Sequence, residues 1–316
     1  MTSTPRTPPI DDVLGHVLEG SRLRGQVFCE SAARAPWALR FPARAEAAFH
    51  LVTAGSALLF IEGKTCALSQ GDLVLVPRGA SHVLADRART RPIDLLDWLA
   101  SATWTGGPLS LGGTTGAETR VLCGMYQMEG LGVHHPVLRL LPSWLVLPAA
   151  RTRADGDLAA TLNALAREHE RSARGASVIV ARLLEILFVQ VIRAWAADQP
   201  IGGAGWIGAL DDALLARALS ALHGDLARDW DVAALAKASA TSRATLARRF
   251  VAHIGEPPLA YLTRARMHAA AQQLRASDTG LGEVAAQVGY QSEFAFNRAF
   301  RRTFGVPPGA YRRSAR

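Results

Sequence analysis

A repeat of 50 residues constrains the fold of this chain more than any other feature of its sequence. Eight residues between positions 242 and 261 recur in the same order between positions 292 and 311. The matched pairs are Ser242 and Ser292, Arg248 and Arg298, Phe250 and Phe300, Gly255 and Gly305, Pro257 and Pro307, Pro258 and Pro308, Ala260 and Ala310, and Tyr261 and Tyr311. Because stacked repeat proteins need at least three copies to bury their faces, two copies indicate a short motif that is used twice.

Each copy has the sequence pattern of two short helices joined by a tight turn. Asp231 and Ser242 are N-cap residues ahead of two apolar runs in the first copy, and Ser292 caps the matching run in the second. Gly289 suits the left-handed position of the second turn, whereas the residue 50 positions earlier is Ser239, which predicts a less favourable first turn. The pattern predicts two helix-turn-helix motifs, whose second helices enter the major groove of DNA.

The second helix of each copy carries side chains that are able to contact bases and phosphates. Arginine pairs bidentately with guanine, asparagine pairs with adenine, and further arginines suit phosphates. Ordinary solvated arginines are the alternative, but matched positions in a duplicated motif favour DNA. Ala247 offers only a methyl group, so the first copy is expected to read fewer bases. The predicted DNA-binding residues are Ser242, Arg243, Ala247 and Arg248 in the first copy, and Ser292, Glu293, Asn297, Arg298, Arg301 and Arg302 in the second.

One continuous helix is predicted between the two motifs. It follows Pro257 and Pro258 and carries apolar or small residues from Leu259 to Leu274. A rigid helix would fix the separation of the motifs, and about 34 Å would place them in successive major grooves.

From Leu210 onward the chain has fifteen Lys and Arg against nine Asp and Glu, a net charge of +6 out of +8 for the whole chain. This charge distribution supports a nucleic-acid partner.

The segment from Trp230 to Arg313 resembles the DNA-binding domain of the AraC/XylS family of bacterial transcription regulators. The stretch GYQSEFAFNRAFRRTFGVPPGAYR carries most of the resemblance. It implies an activator or repressor that binds double-stranded DNA, with RNA polymerase as a further candidate partner. Members of that family carry this domain beside a variable domain for sensing and dimerisation.

The first half of the chain has the pattern of a β-barrel. Between Phe49 and Ala85, short apolar runs rich in β-branched residues alternate with Gly, Asp and Pro. The positions of His50, Gly63, Gly71, Asp72, Pro77 and His82 resemble those of a cupin, a small jelly-roll barrel. The resemblance covers about residues 20 to 148 and extends to the cupin domains that are fused to AraC-type regulators.

Two kinds of ligand are candidates for such a barrel. Small barrels enclose single ligands, and the residues expected to line an effector site are Trp37, His50, Phe60, His82 and Trp104; core packing is the alternative for each aromatic. Cupin enzymes usually bind metal through an HxH pair, which is missing here because Leu51 and Val52 follow His50. No cofactor is therefore required, although a divalent metal remains a candidate at His50, His82, His134 or His135. We favour hydrogen bonds to the backbone for His50 and His82.

Three hypotheses about the signal follow. The preferred one is a sequence-specific transcription regulator that responds to a small-molecule effector and is not an enzyme. The second is a redox-sensing regulator that uses Cys29, Cys66 or Cys123, although these cysteines have no CxxC spacing and most unpaired cysteines are inert. The third is a metal-dependent cupin enzyme tethered to DNA.

The helical segment from Leu158 to Ala197 carries a broad apolar stripe that needs a partner surface. The stripe either forms a homodimer or packs on its own barrel, and the sequence leaves both open. We expect a multidomain β-plus-α protein in the cytoplasm, without a membrane span. Its predicted parts are a disordered lead-in (1–19), a cupin-like sensor (20–148), a helical dimerisation element (149–198), a linker (199–209) and an all-α DNA-binding domain with two helix-turn-helix motifs (210–316).

Overall fold

The computed structural model describes residues 23–101, 109–128, 138, 141–171, 173–199 and 212–314. The described residues form two compact units, one ending at Asp198 and one beginning at Gln199. The predicted lead-in at 1–19 and nearly all of the predicted linker at 199–209 lie outside the described residues.

The first unit is built from two antiparallel-rich sheets. Its strands are β1 (Leu23–Arg34), β2 (Ala38–Phe41), β3 (Ala47–Ala54), β4 (Ser56–Ile61), β5 (Lys64–Ser69), β6 (Leu73–Val76), β7 (His82–Ala85), β8 (Ile93–Asp94), β9 (Leu109–Gly112), β10 (Glu118–Met128) and β11 (Leu145–Leu147). One sheet has the order β11-β6-β3-β10-β1-β9 and the other has the order β5-β4-β7-β2-β8. The prediction of a β-rich first domain is confirmed.

The core of the barrel lies between the two sheets because strand residues alternate between inward and outward positions. On β4, Leu59 and Ile61 are buried in this core, whereas Phe60 is half-buried on the opposite face. Phe60 pairs with Val83, which pairs with Arg40, so these three residues form a row across the outer face of the second sheet. The core itself includes Trp37, Leu39, Val52, Leu59, Val74, Leu84, Val121 and both Cys29 and Cys123.

Helices complete the first unit. They are α1 (Leu95–Ser101), α2 (Ala149–Ala154), α3 (Gly156–Arg171) and α4 (Ala176–Ala197). The apolar stripe of α4 packs against α3 and the outer face of β1, where Leu184 lies against Gly25. The Phe188 ring of α4 also lies 4.9 Å from the ring of Tyr126 on β10. The stripe therefore packs within its own chain. No helix among the described residues is both long and apolar enough to cross a membrane.

The second unit contains only helices in its described part. They are α5 (Ala213–Gly224), α6 (Val232–Ala238), α7 (Arg243–Ile254), α8 (Pro258–Ala276), α9 (Leu281–Gln287), α10 (Glu293–Phe304) and α11 (Pro308–Ser314). The pairs α6–α7 and α9–α10 are the two predicted helix-turn-helix motifs. The predicted connecting helix is α8, which begins at Pro258 as a proline at the first helical position would predict.

Both motifs pack on α8. Met267, Ala271 and Leu274 of α8 form one core with Val284, Phe296 and Phe300 of the second motif. On the side of the first motif, the Tyr261 ring lies 5.7 Å from the Phe250 ring and its hydroxyl lies 2.7 Å from Nε2 of His223. One helix thus supports two small cores.

Candidate DNA-binding surface and barrel cluster

The two helix-turn-helix turns have the same backbone hydrogen bonds but differ in their left-handed residue. In the first motif the amide of Thr241 donates a hydrogen bond to the carbonyl of Ala236 at 2.9 Å. In the second motif the amide of Tyr290 donates to the carbonyl of Ala285 at 2.8 Å. These bonds close the helix ends in the Schellman pattern. The left-handed residues are Ala240, with φ of 53°, and Gly289, with φ of 79°.

The prediction that Ser239 is the counterpart of Gly289 was wrong. Ser239 has φ of −93°, is buried, and donates its hydroxyl to the carbonyl of Leu235 at 2.8 Å. The first helices of the two motifs align with a shift of 49 residues, whereas the second helices align with a shift of 50. The extra residue lies between Gly289 and Ser292, in a part of the turn where the sequence repeat had shown no matching residues.

The second helices start and end in matching ways. The Ser242 hydroxyl accepts a hydrogen bond from the amide of Thr245 at 3.2 Å, and the Ser292 hydroxyl accepts one from that of Ala295 at 3.4 Å. Gly255 and Gly305 end the helices in the left-handed conformation. Because the caps fix where each helix begins, the two helices present equivalent positions to the outside.

The outer faces of these two helices carry the predicted DNA-binding residues. Arg243, Arg248, Glu293, Arg298, Arg301 and Arg302 are exposed, together with the two cap serines, whereas Ala247 and Asn297 are half-buried. Among the described residues, Arg243, Arg248, Arg298 and Arg301 have no ion pair or side-chain hydrogen bond with one another or with other groups. Arg249 differs, because it forms an ion pair with Asp212 at 2.6 Å.

Two residues of this surface modify the expectation from the sequence. The Asn297 side chain donates to the Glu293 carbonyl at 3.0 Å, so it must leave this bond before it contacts a base. Phe294, which the sequence pattern had not singled out, is 72% exposed on the same helix. Its position two residues after the N-cap Ser292, outside the buried pattern of Phe296 and Phe300, is the signal that could have identified it.

Arg266 of α8 connects the two motifs. Its guanidinium donates to the carbonyls of Leu226 and Arg228, both at 2.7 Å, in the loop that precedes the first motif. A Cβ atom at Gly289 would lie 2.5 Å from the Ala227 carbonyl oxygen and 2.7 Å from the Arg266 guanidinium. Burial lowers the pKa of Arg266 from its usual value, and the nearby Tyr290 and acidic groups oppose this shift. The loop of the first motif and the turn of the second therefore meet at Arg266.

Inside the barrel, the predicted histidines form a chain of buried polar contacts. Nδ1 of His82 lies 2.7 Å from the Ala80 carbonyl, Nε2 of His82 lies 2.7 Å from Nε2 of His50, and Nδ1 of His50 lies 3.1 Å from Sγ of Cys123. Since a carbonyl only accepts, His82 donates to it and accepts from His50 through Nε2. His50 then accepts from the Cys123 thiol. Burial lowers the pKa of both histidines, His50 well below its usual value, so the chain consists of neutral groups.

This geometry favours hydrogen bonds rather than metal coordination. Two imidazole nitrogens that share a tetrahedral metal lie about 3.4 Å apart, and the His50 and His82 nitrogens are closer than that. No cluster of three or more His, Cys, Asp or Glu suited to a metal occurs among the described residues. His134 and His135 lie outside them, so the metal hypothesis stays a prediction.

The predicted effector residues do not line one common space. Trp37 is 4% exposed in the core, Trp104 lies outside the described residues, and Phe60 faces outward. A cavity of about 30 Å³ lies beside His50 and Cys123, which is room for one or two water molecules. Phe60 and His82 instead border a wider cleft of about 330 Å³ together with Arg40 and Lys64.

The structure also brings together two cysteines that the sequence had left unpaired. Cys29 of β1 is the direct cross-strand partner of Cys123 of β10. The side-chain interaction with Cys123 lowers the pKa of the Cys29 thiol, although burial opposes this shift, while the interaction with Cys29 and burial raise the pKa of Cys123. Cys66 lies apart on β5, and burial raises its pKa. Strand register, which no local spacing encodes, explains why the pair was missed.

A β-barrel unit with a double helix-turn-helix unit defines a DNA-binding regulator. Comparison with known proteins supports this class: a family model described as Cupin matches residues 12–197, and one described as a helix-turn-helix domain matches residues 235–314. A protein of Streptomyces lividans described as an AraC-like transcription regulator is 34% identical over 307 residues, covering 96% of this chain and 98% of that protein. The chain belongs to the AraC-like family of DNA-binding transcription regulators.

Two further similarities were found. The HTH-type transcriptional regulator AlkR of Acinetobacter baylyi is 29% identical over 308 residues, covering 96% of this chain and all of that protein. Among solved structures, the DNA-binding domain of AdpA in complex with a target DNA is 36% identical, covers 33% of this chain and 92% of that chain, and has a TM-score of 0.32.

Proposed function

We propose that this protein is a sequence-specific regulator that acts on DNA in the cytoplasm and responds to a small-molecule effector through its barrel. The single observation that carries sequence-specific binding is the pair of matching second helices, α7 and α10, with exposed arginines on their outer faces. In this proposal Arg298 reads a guanine, while Arg301 and Arg302 contact phosphates.

The support of both motifs by one helix favours a bipartite site. The 19 residues of α8 span about 28 Å, and Arg266 links the two motifs directly. We therefore expect two recognised blocks on one face of the duplex, about 10 base pairs apart.

Selection from a library of random 40-base-pair duplexes tests this proposal. The intact protein should enrich sequences with two blocks at that spacing, and Arg266→Ala should broaden the spacing while each block is kept. Arg249→Ala is the matched control, because Arg249 lies on α7 but is paired with Asp212. Enrichment of a single block, or of no sequence, would contradict the bipartite proposal.

The cleft beside Phe60 is our candidate for the effector site. Arg40 and Lys64 outnumber the one carboxylate, Glu62, and Phe60 gives the cleft an aromatic wall, which suits a small anion with an apolar part. A thermal-shift screen of aromatic and aliphatic carboxylates should find stabilising compounds, and both Phe60→Ala and Lys64→Ala should abolish the shift. Leu96→Ala, an exposed apolar change elsewhere on the barrel unit, should not affect it.

A second candidate signal, oxidation, is favoured by the Cys29–Cys123 pair. Two thiols and hydrogen peroxide would give one disulfide and two molecules of water, and the two cysteines are direct cross-strand partners. Intact-mass measurement after mild peroxide should then show the loss of two hydrogens in the parent and in Cys66→Ser. Cys123→Ser should show no such loss. An unchanged mass, together with DNA binding unaffected by peroxide, would remove this candidate and leave the effector.

Dimerisation is also part of the proposal. The face of α4 that points away from the barrel exposes Val178, Ile179 and Ile186. Sedimentation should give a dimer for the parent protein and a monomer for Ile186→Glu. Ile93→Glu is the matched control, since Ile93 is 46% exposed and Ile186 is 49% exposed on the same unit. If the parent protein sediments as a monomer, the proposed dimer is contradicted.

RNA polymerase is a further candidate partner, and transcription in vitro with the purified protein tests it.

A further inference from the structure

We propose that Phe294 contacts the C5-methyl group of a thymine, and so gives the second helix-turn-helix motif a preference that the first motif lacks. This inference rests on the proposed sequence-specific binding and names one further base-reading residue.

The exposure of Phe294 is the first step. It is 72% exposed, although Phe296 and Phe300 of the same helix are completely buried. The helix therefore makes its core contacts without Phe294. Because the Phe294 ring stays in water, it contributes no free energy of burial to the stability of the free protein. A large aromatic side chain left in water on one face suggests a partner surface.

The position of Phe294 identifies the partner. It is the second residue of α10, directly after the cap residue Ser292 and Glu293. The N-terminal residues of a recognition helix are those that contact base edges in the major groove. Arg298 lies one turn further along the same face, and Arg301 follows it. An exposed ring next to unpaired arginines fits a surface that is negatively charged and carries apolar groups, which describes the major groove.

The chemistry of the groove narrows the contact to one base. Among the groups displayed by the four base pairs, the thymine C5-methyl is the apolar one, and phenylalanine is among the side chains that contact it. The equivalent position in the first motif is Ala244, and the next outward position is Ala247 instead of Asn297. The two motifs therefore differ at the start of the helix, where differences in base preference arise.

Substitution of single thymines provides the test. Sequences enriched by the intact protein from the random duplex library should contain a thymine in the block read by α10, and Phe294→Ala should lose the preference at that position alone. Replacement of that thymine by deoxyuridine removes only the methyl group. It should weaken binding by the parent about 5-fold, while Phe294→Ala should bind both duplexes equally. Val251→Ala, which changes an exposed apolar residue of α7, should behave as the parent does.

Several results would overturn this inference. The same thymine preference in Phe294→Ala and the parent would do so, as would an equal loss of binding on every duplex. Normal DNA binding by Phe294→Ala, with loss of transcription in vitro, would assign the ring to RNA polymerase instead. If the parent itself enriches no sequence, the proposed function fails as well, whereas enrichment that is insensitive to Phe294 removes only the role of this residue. Circular dichroism of the intact variant confirms that it is folded.

Discussion

The two helix-turn-helix motifs of this chain share a frame and differ in what the frame presents. Serine caps, left-handed glycines and buried phenylalanines occur at equivalent positions of α7 and α10. The outer positions differ: Arg243, Ala244 and Ala247 stand where the second motif has Glu293, Phe294 and Asn297. The repeat therefore preserves the residues that position a helix, whereas most of the residues available to DNA differ, with Arg248 and Arg298 as the shared exception.

The turns show the same contrast on a smaller scale. Ala240 and Gly289 make the same backbone hydrogen bonds, but alanine has a Cβ that disfavours the left-handed conformation. The second turn also packs against Arg266 and the Ala227 carbonyl, where a side chain would clash. Glycine is thus required in the second motif for two reasons, whereas the first motif tolerates alanine at a cost in stability.

Exchange of the turn residues should produce the largest effect. Gly289→Ala should destabilise the helical unit by about 3 kcal/mol, because left-handed strain and the close contact add. Ala240→Gly should stabilise it by up to about 1 kcal/mol. Scanning calorimetry of the intact protein measures both changes in stability. The unfolding transition of the helical unit is identified as the one that shifts when duplex DNA is added. Equal effects of opposite sign would show that packing against Arg266 contributes nothing.

Arginine truncation should separate base reading from phosphate binding. Arg298→Ala should lower discrimination between the selected operator and a scrambled duplex by about 2 kcal/mol. Arg301→Ala should weaken binding to both duplexes alike and lower the salt slope by about 1. Binding isotherms at several salt concentrations provide the measurement. Equal losses on both duplexes for Arg298→Ala would assign Arg298 to phosphate binding. The variant Arg248→Ala tests whether the matching arginine of the first motif behaves in the same way.

The smallest effect is expected at Asn297. Its amide is already hydrogen-bonded to the Glu293 carbonyl, so contact with adenine exchanges one bond for another and Asn297→Ala should cost about 1 kcal/mol of discrimination. The reciprocal change, Ala247→Asn, should give the first motif a new adenine preference in the duplex selection. An unchanged set of enriched sequences in both variants would show that this position faces away from the bases.

Local signals explain why the helical unit was predicted well. The caps at Ser242 and Ser292, the proline that starts α8 and the apolar periodicity each act within a few residues, so the sequence shows them directly. Because the motif occurs twice, the helix pattern predicted in one copy could be checked against the other copy. The single error, the register of Ser239, arose where the copies share no identical residues and a one-residue difference leaves no trace.

The barrel illustrates the opposite case. Short alternating strands were predictable, but the sequence did not place Phe60 on the outer face or His50 between His82 and Cys123. The meeting of Cys29 and Cys123, more than 90 residues apart, depends on the register of β1 against β10. Nor could the pattern decide whether the stripe of α4 served a partner or its own barrel.

The sequence by itself therefore determined the two-part architecture, the double helix-turn-helix and the family, because helix caps, periodicity and a repeated motif are encoded by neighbouring residues. Only the tertiary structure decided which side chains meet in the barrel, how Arg266 joins the two motifs, and that Phe294 is left uncovered. Those outcomes depend on strand register and on packing between distant segments, where a shift of one residue reverses the face on which a side chain lies.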